Sequence, residues 1–228
     1  MDKNTIFKKA FIDSLPVLTG YLCLGIGFGI LMKARGYGLA YIIPLSLFAF
    51  TGSGQYLAAG LLASDVSLLG CAITIFAVNA RYLLYGFSML DDYRDIRFKP
   101  LMVFWLTDET YAIINNEKAL PKKQHHQYAF YLSALDHSYW LAGTIAGGII
   151  GGLFVFNTKG IDFVMTALFL TIMTEQWLNA RNHLPAIIGI ACSIIATLLF
   201  KGDMVIPSMI AIIFILIITR NLEAMNNE

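Results

Sequence analysis

Polar residues interrupt the apolar sequence at a few places, and the first of these is Thr51-Gly52-Ser53-Gly54-Gln55-Tyr56. It lies in the centre of a charge-free run from Gly36 to Ser64. Two glycines among hydroxyl and amide side chains would unwind a helix there and free backbone amides and carbonyls. Freed amides suit a carboxylate and freed carbonyls suit an ammonium group, so the segment predicts a binding site for a zwitterionic amino acid. The alternative is a glycine-rich packing contact, with Ser53 and Gln55 bonding to another helix.

Two further motifs together supply one cation and two carboxylates. The cation lies in Asn79-Ala80-Arg81-Tyr82, and the carboxylates lie in Thr107-Asp108-Glu109-Thr110. Arg81 lies in an apolar run and must find a carboxylate or a wet cavity. Adjacent carboxylates diverge by about 100° on a helix, so one of Asp108 and Glu109 could pair with Arg81 while the other titrates and carries a coupling proton. Alternatively, Arg81 extends to the membrane surface, and Thr107 or Asp108 only caps a surface helix.

In the second half of the sequence, the comparable positions are Asp136-His137 and Glu175-Gln176. Either acid could carry a proton across the membrane, but both pairs could equally lie at helix ends among lipid headgroups. An enzyme using Asp136, His137 and Glu175 is a hypothesis of another class. It is disfavoured because no metal-ligand spacing accompanies them. We therefore expect no enzyme activity, no cofactor and no metal site.

The amino-acid composition indicates the fold class whose elements must position these residues. Apolar residues make up 57% of the chain and charged residues only 14%, which is too few to cover a soluble globule. The net charge of +1 gives no basic face for nucleic acid. We expect an all-α polytopic membrane protein, with residues 1–228 forming a single integral membrane transport domain.

Charge-free runs mark the candidate membrane helices, since a bilayer core needs about 20 apolar residues. If every run crossed, the loop cations would divide almost equally between the two sides. If 36–64 and 100–115 enter the membrane and return, Arg94, Arg97 and Lys99 join the N-terminal lysines, and most cations are cytoplasmic. We therefore expect about six transmembrane helices, one or two broken or re-entrant elements, and both termini in the cytoplasm.

A weak internal repeat is also predicted. Gly38 precedes Gln55-Tyr56-Leu57 at nearly the spacing at which Gly160 precedes Gln176-Trp177-Leu178, and each follows a glycine-rich segment. Such duplication is typical of transporters. The alternative is that apolar helices with interface glycines resemble one another by composition alone.

Three motifs together resemble the AzlC family in order and spacing. They are Gly-Ser-Gly-Gln-Tyr at 52–56, Asn79-Ala80-Arg81-Tyr82-Leu83-Leu84-Tyr85-Gly86 and Thr107-Asp108-Glu109-Thr110-Tyr111. The resemblance extends over nearly the whole chain and is looser in the second half. It implies the large subunit of an exporter in the bacterial cytoplasmic (inner) membrane. The implied substrates are leucine, isoleucine, valine and methionine, and the implied partner is a small hydrophobic AzlD-type subunit.

From the residues and the resemblance together we predict a secondary active exporter driven by proton exchange. The expected substrate-binding residues are Gly52, Ser53, Gly54, Gln55, Tyr56, Asn79, Arg81 and Asp108. The expected coupling residues are Asp108, Glu109, Asp136 and Glu175. The alternatives are an exporter of another small amino acid or metabolite, and a scaffold or pore subunit whose partner carries the specificity.

Overall fold

The computed structural model describes residues 2–62, 66–90, 92–94, 96, 98–117, 119–153, 182–200 and 205–226, with isolated positions from 163 to 178. Within this part all regular secondary structure is helical, which confirms the predicted all-α class. The helices are α1 Lys3–Ala34, α2 Leu39–Phe48, α3 Ser53–Leu61, α4 Leu68–Ser88, α5 Lys99–Phe104, α6 Asp108–Asn116, α7 Lys122–Leu153, α8 Leu184–Phe200 and α9 Val205–Asn226. Within the described residues, α1 and α4 are long and apolar enough to cross a membrane.

The chain divides into two compact units. The first comprises Met1–Asp65 and Val78–Met165, and the second comprises Val66–Ala77 and Thr166–Glu228. In the second unit, α8 packs against α9. The second copy of the predicted repeat, at 160–178, lies mostly outside the described residues, so the repeat stays a prediction.

The first unit is built on α1 and α7, which lie side by side and run in the same direction. The Phe7 and Tyr131 rings are 5.4 Å apart near the beginnings of the two helices. Further along, the Ser14 hydroxyl lies 3.1 Å from that of Tyr139. Both helices continue past these contacts, so their C-terminal ends also lie together.

Glycines allow the backbones of α1 and α7 to touch. A Cβ placed on Gly147 would overlap the carbonyl of Ile26, and one on Gly29 would overlap the carbonyl of Thr144. A Cβ on Gly25 would lie 3.0 Å from the Thr144 amide nitrogen. Small residues at helix interfaces permit this close approach in membranes. The glycine-rich segments of the sequence therefore form one helix interface.

Helix α2 begins beside the C-terminal end of α7. The side chain of Leu39, its first residue, would lie 2.7 Å from a Cβ on Gly148. Near its other end, the carbonyl of Ser46 lies 3.2 Å from Nε2 of His137, in the middle of α7. The helix thus runs from the end of α7 to its midpoint.

Helix α3 runs back toward the C-terminal ends of α1 and α7, in the direction opposite to α2. The Tyr56 hydroxyl, in its first turn, donates a 2.6 Å hydrogen bond to the carbonyl of Leu24 in α1. One turn further, the Ala59 carbonyl accepts a hydrogen bond from the guanidinium of Arg35, just beyond the end of α1. Together α2 and α3 form a hairpin whose tip lies halfway along α1 and α7.

Helices α5 and α6 form a second hairpin, which begins and ends beside the N-terminal ends of α1 and α7. Met102 of α5 is buried against the beginnings of α1 and α7. At the end of α6, the Ile114 carbonyl lies 3.2 Å from Nε2 of His125 near the start of α7. Between the two helices, the Trp105 indole donates a 2.9 Å hydrogen bond to Nδ1 of His137. His137 is therefore where the tips of both hairpins meet.

Candidate functional site

The tip of the first hairpin is the break between α2 and α3. Gly52 has φ 40° and ψ −92°, in the left-handed region that favours glycine. The predicted break is present, but it covers 49–52, and Ser53 already begins α3. The amides of Gly54, Gln55 and Tyr56 donate to the carbonyls of Thr51 and Gly52 at 2.9–3.2 Å. The amides expected to be free are thus engaged within the first turn of α3.

The side chain of Gln55 fastens this tip to α7. Its Oε1 accepts a 2.6 Å hydrogen bond from the Trp140 indole, and its Nε2 donates a 2.8 Å bond to the Leu45 carbonyl. Gln55 is 1% exposed. Trp140 is buried as well. Gln55 therefore bonds across to another helix, as the packing alternative proposed.

Asn79 reaches the same tip from α4. The Thr51 hydroxyl donates a hydrogen bond to its side-chain oxygen. A Cβ on Gly54 would lie 2.8 Å from the Asn79 side-chain nitrogen and 2.7 Å from the Thr51 hydroxyl oxygen. The structure thus brings the first two predicted motifs into contact. The side chain of Arg81 lies outside the described part.

The tip of the second hairpin is the break between α5 and α6. Thr107 is the N-cap of α6, and its hydroxyl lies 3.4 Å from the Thr110 amide nitrogen that donates to it. Asp108 and Glu109 follow in the first turn, where negative charge interacts favourably with the helix dipole. Thr107 is 3% exposed. The capping interpretation is therefore correct, but the cap is buried inside the first unit.

A continuous row of hydrogen bonds connects two of the predicted carboxylates. The Tyr21 hydroxyl lies 2.7 Å from both Glu109 Oε2 and the Thr107 hydroxyl. The Thr107 and Thr110 hydroxyls are 2.9 Å apart, and that of Thr110 donates a 2.7 Å bond to Asp136 Oδ2. The row thus joins α1, α6 and α7.

The two ends of this row differ in environment. Asp136 is fully buried, and its Oδ1 has no hydrogen-bond partner. Glu109 is an exposed residue. Asp136 and His137 lie in the middle of α7 and not at one of its ends, whereas Glu175 lies outside the described residues.

Tyr21 and Thr110 received no role in the sequence analysis. Tyr21 is one of several hydroxyl-bearing residues of α1, and it lies 88 positions from Glu109 along the chain. The hydroxyl itself was the available signal, but no spacing indicates its partner. Among the described residues, no group of three or more His, Cys, Asp or Glu side chains is arranged to hold a metal ion.

Comparison with known proteins identifies relatives along almost the whole chain. The sequence model of a family described as "AzlC protein" matches residues 16–154. The "Branched-chain amino acid transport protein AzlC" of Bacillus subtilis is 38% identical over 94% of this chain and 85% of its own length. An "Uncharacterized membrane protein" of Helicobacter pylori is 34% identical over 95% of this chain and 96% of its own length. The "Inner membrane protein YgaZ" of Escherichia coli is 23% identical over 78% of this chain and 76% of its own length. No solved structure matches the chain.

Proposed function

The chain belongs to the AzlC family, and from this premise we propose that it exports branched-chain amino acids and methionine across the bacterial cytoplasmic membrane. An inward flow of protons drives the export. A small hydrophobic AzlD-type subunit completes the transporter. The name of the Bacillus subtilis relative, a branched-chain amino acid transport protein, supports the substrate class.

The observation that carries the proposal is the meeting of two broken-helix hairpins halfway along α1 and α7. Transporters commonly bind substrates near the bilayer midplane at such discontinuous helices, where backbone and polar side chains line a cavity. Here Trp105 from one tip and the Ser46 carbonyl near the other both contact His137. This arrangement supports a transport pathway that passes between the two tips and closes on one side of them or on the other.

The charges at the ends of α1 and α7 support an orientation. Both helices begin close together, and each carries lysines there: Lys3, Lys8 and Lys9 on α1, and Lys122 and Lys123 on α7. Cytoplasmic loops are enriched in such cations, so we place both beginnings in the cytoplasm. The first hairpin is then re-entrant from outside and the second from inside, which agrees with about six crossings and cytoplasmic termini.

We place the amino acid between the two tips. Because the amides of 54–56 are engaged, the substrate carboxylate is held by the tip backbone around Gly52 and Ser53, together with Asn79 and Arg81. Asp108 receives the substrate ammonium group. Gln55 and Tyr56, together with the close approach at Gly54, fix the shape of the tip rather than contact the substrate.

Apolar rings near the tips supply a wall for a branched side chain. Phe50, which is 5% exposed, has its ring centroid 4.7 Å from that of His137 and 6.0 Å from that of Tyr21. Such a wall favours leucine, isoleucine and valine over polar amino acids, since burying their side chains is favourable.

Counterflow of labelled leucine into proteoliposomes tests the proposal. The vesicles contain this chain with or without the small subunit, at two imposed pH gradients. We expect saturable exchange that unlabelled isoleucine and valine inhibit, and accumulation that follows the gradient. Failure of leucine to exchange in sealed vesicles containing both folded subunits would exclude the proposed substrate class. Full flux through the small subunit alone would identify this chain as a scaffold.

A further inference from the structure

We propose that Asp136 is the acid that takes up the coupling proton, and that the hydroxyls of Thr110, Thr107 and Tyr21 conduct this proton between Asp136 and Glu109. The inference rests on the proposed function, because a proton relay is useful only in a transporter that exchanges protons. It adds a defined path and three relay residues to the acids predicted from the sequence.

The surroundings of Asp136 are those of a carboxyl group that changes its charge. One oxygen accepts a hydrogen bond from Thr110, and the other is buried without a hydrogen-bond partner. Burying an unpaired negative charge is costly, and a neutral carboxylic acid costs far less. Asp136 therefore fits this conformation best as the proton-bearing acid.

The titratable groups near Asp136 come from three helices. They are Tyr21 of α1, Glu109 of α6, and Tyr128 and His137 of α7. Within the described part of the chain, ion pairs join Lys9 to Asp13 and to Glu117, and none includes Asp136. His137 directs its ring nitrogens to Trp105 and the Ser46 carbonyl.

The hydrogen-bond row permits a balanced transfer. The donors of the row point toward Asp136. Thr110 gives its proton to the Asp136 carboxylate while it takes one from Thr107, and Thr107 takes one from Tyr21. Tyr21 takes one from the protonated Glu109. Each hydroxyl gains one proton and loses one, so the net result is the movement of one proton from Glu109 to Asp136.

The geometry of the row suits this transfer. Every step spans 2.7–2.9 Å between oxygens, within normal hydrogen-bond range for hydroxyl groups. The row begins at a fully buried residue and ends at an exposed one. It therefore connects a buried acid to an acid on the surface of the first unit.

The test separates substrate exchange from proton movement in proteoliposomes containing the complete transporter. Leucine counterflow at equal pH requires no net proton transfer, whereas accumulation driven by a pH gradient does. We expect Asp136→Asn to retain counterflow and to lose gradient-driven accumulation by about tenfold or more. A pH dye inside the vesicles should show leucine-dependent proton movement in the wild type and none in this variant.

Two further variants test the path, and a third is the matched control. Tyr21→Phe interrupts the row, and Glu109→Gln removes its exposed end without altering the buried interior, so both should slow gradient-driven accumulation by about tenfold. Ser133→Ala changes another buried residue one turn from Asp136, whose hydroxyl has no hydrogen-bond partner. This control should retain both activities.

The outcomes distinguish the relay from the function on which it rests. If the wild type fails to exchange leucine, the proposed function itself is wrong. If Asp136→Asn, or Glu109→Gln where the Asp136 variant fails to fold, accumulates leucine normally in a pH gradient, the relay is overturned. Normal accumulation by Tyr21→Phe would overturn the path through that hydroxyl.

Discussion

The indole nitrogen of Trp140 donates to the side-chain oxygen of Gln55 across 2.6 Å, and this bond connects the middle of α7 to the first turn of α3. The side-chain nitrogen of Gln55 donates a hydrogen bond to the Leu45 carbonyl of α2. One glutamine thus holds both helices of the first hairpin against α7. The shape of the tip depends on this pair.

Trp140→Phe should therefore destabilise the protein through Gln55. The substitution leaves the buried Gln55 oxygen without its donor, at a cost of about 1–3 kcal/mol. Thermal unfolding in detergent, measured for Trp140→Phe, Gln55→Leu and the double variant, gives the coupling between the two residues. We expect the double variant to lose less than the sum of the single losses. Strict additivity would show that the bond does not contribute.

The close contact between α1 and α7 leads to a second prediction. A methyl group on Gly147 would overlap the Ile26 carbonyl, which is rigid backbone, so Gly147→Ala must separate the two helices. Overpacking of this kind costs about 1–3 kcal/mol. Thermal unfolding should show a clear loss of stability. Gly20→Ala is the matched control in α1, because a Cβ there meets no atom within 4 Å. Equal effects of the two substitutions would contradict the interface.

Gly54→Ala should reduce transport more than it reduces stability. Its Cβ would lie 2.7 Å from the Thr51 hydroxyl oxygen and 2.8 Å from the Asn79 amide nitrogen, both of them side-chain atoms that can move. Their displacement breaks the contact between the first tip and Asn79 of α4, both of which we propose hold the substrate carboxylate. Leucine counterflow should fall about tenfold, since small misplacements of binding groups have large effects on rate. Asn79→Ala combined with Gly54→Ala removes the contact with the Asn79 amide but not that with Thr51, and so tests whether the amide contact is the one that matters. Unchanged counterflow in Gly54→Ala would remove this tip from the substrate site.

Local patterns in the sequence were sufficient to predict the membrane class and the break beside Gly52. A glycine in a polar segment weakens a helix wherever it lies, so this break requires no knowledge of distant contacts. The row from Tyr21 to Asp136 could not be predicted in the same way. Residues 86 and 88 positions apart form its bonds at Tyr21, and they meet only because the second hairpin places the beginning of α6 beside α1. Similarly, Thr107 has the sequence pattern of an ordinary cap, and only the fold shows that it is buried.

The re-entrant arrangement of both hairpins predicts a specific labelling pattern in intact cells. In a background where Cys23, Cys71 and Cys192 are replaced by serine, single cysteines are introduced at four exposed positions that flank the hairpins. These positions are Ala34, Leu62, Phe98 and Ala119. A membrane-impermeant maleimide should label the cysteines at 34 and 62 from outside, and those at 98 and 119 only after permeabilisation.

The pattern follows because each hairpin begins and ends at the same end of the α1 and α7 pair. If α2 and α3 instead formed one bent crossing, the cysteines at 34 and 62 would lie on opposite sides, and only one of them would react in intact cells. A bent crossing by α5 and α6 would likewise separate 98 from 119. Either separation would exclude a hairpin with both ends on one side, and with it a substrate site between two opposed tips at the membrane centre.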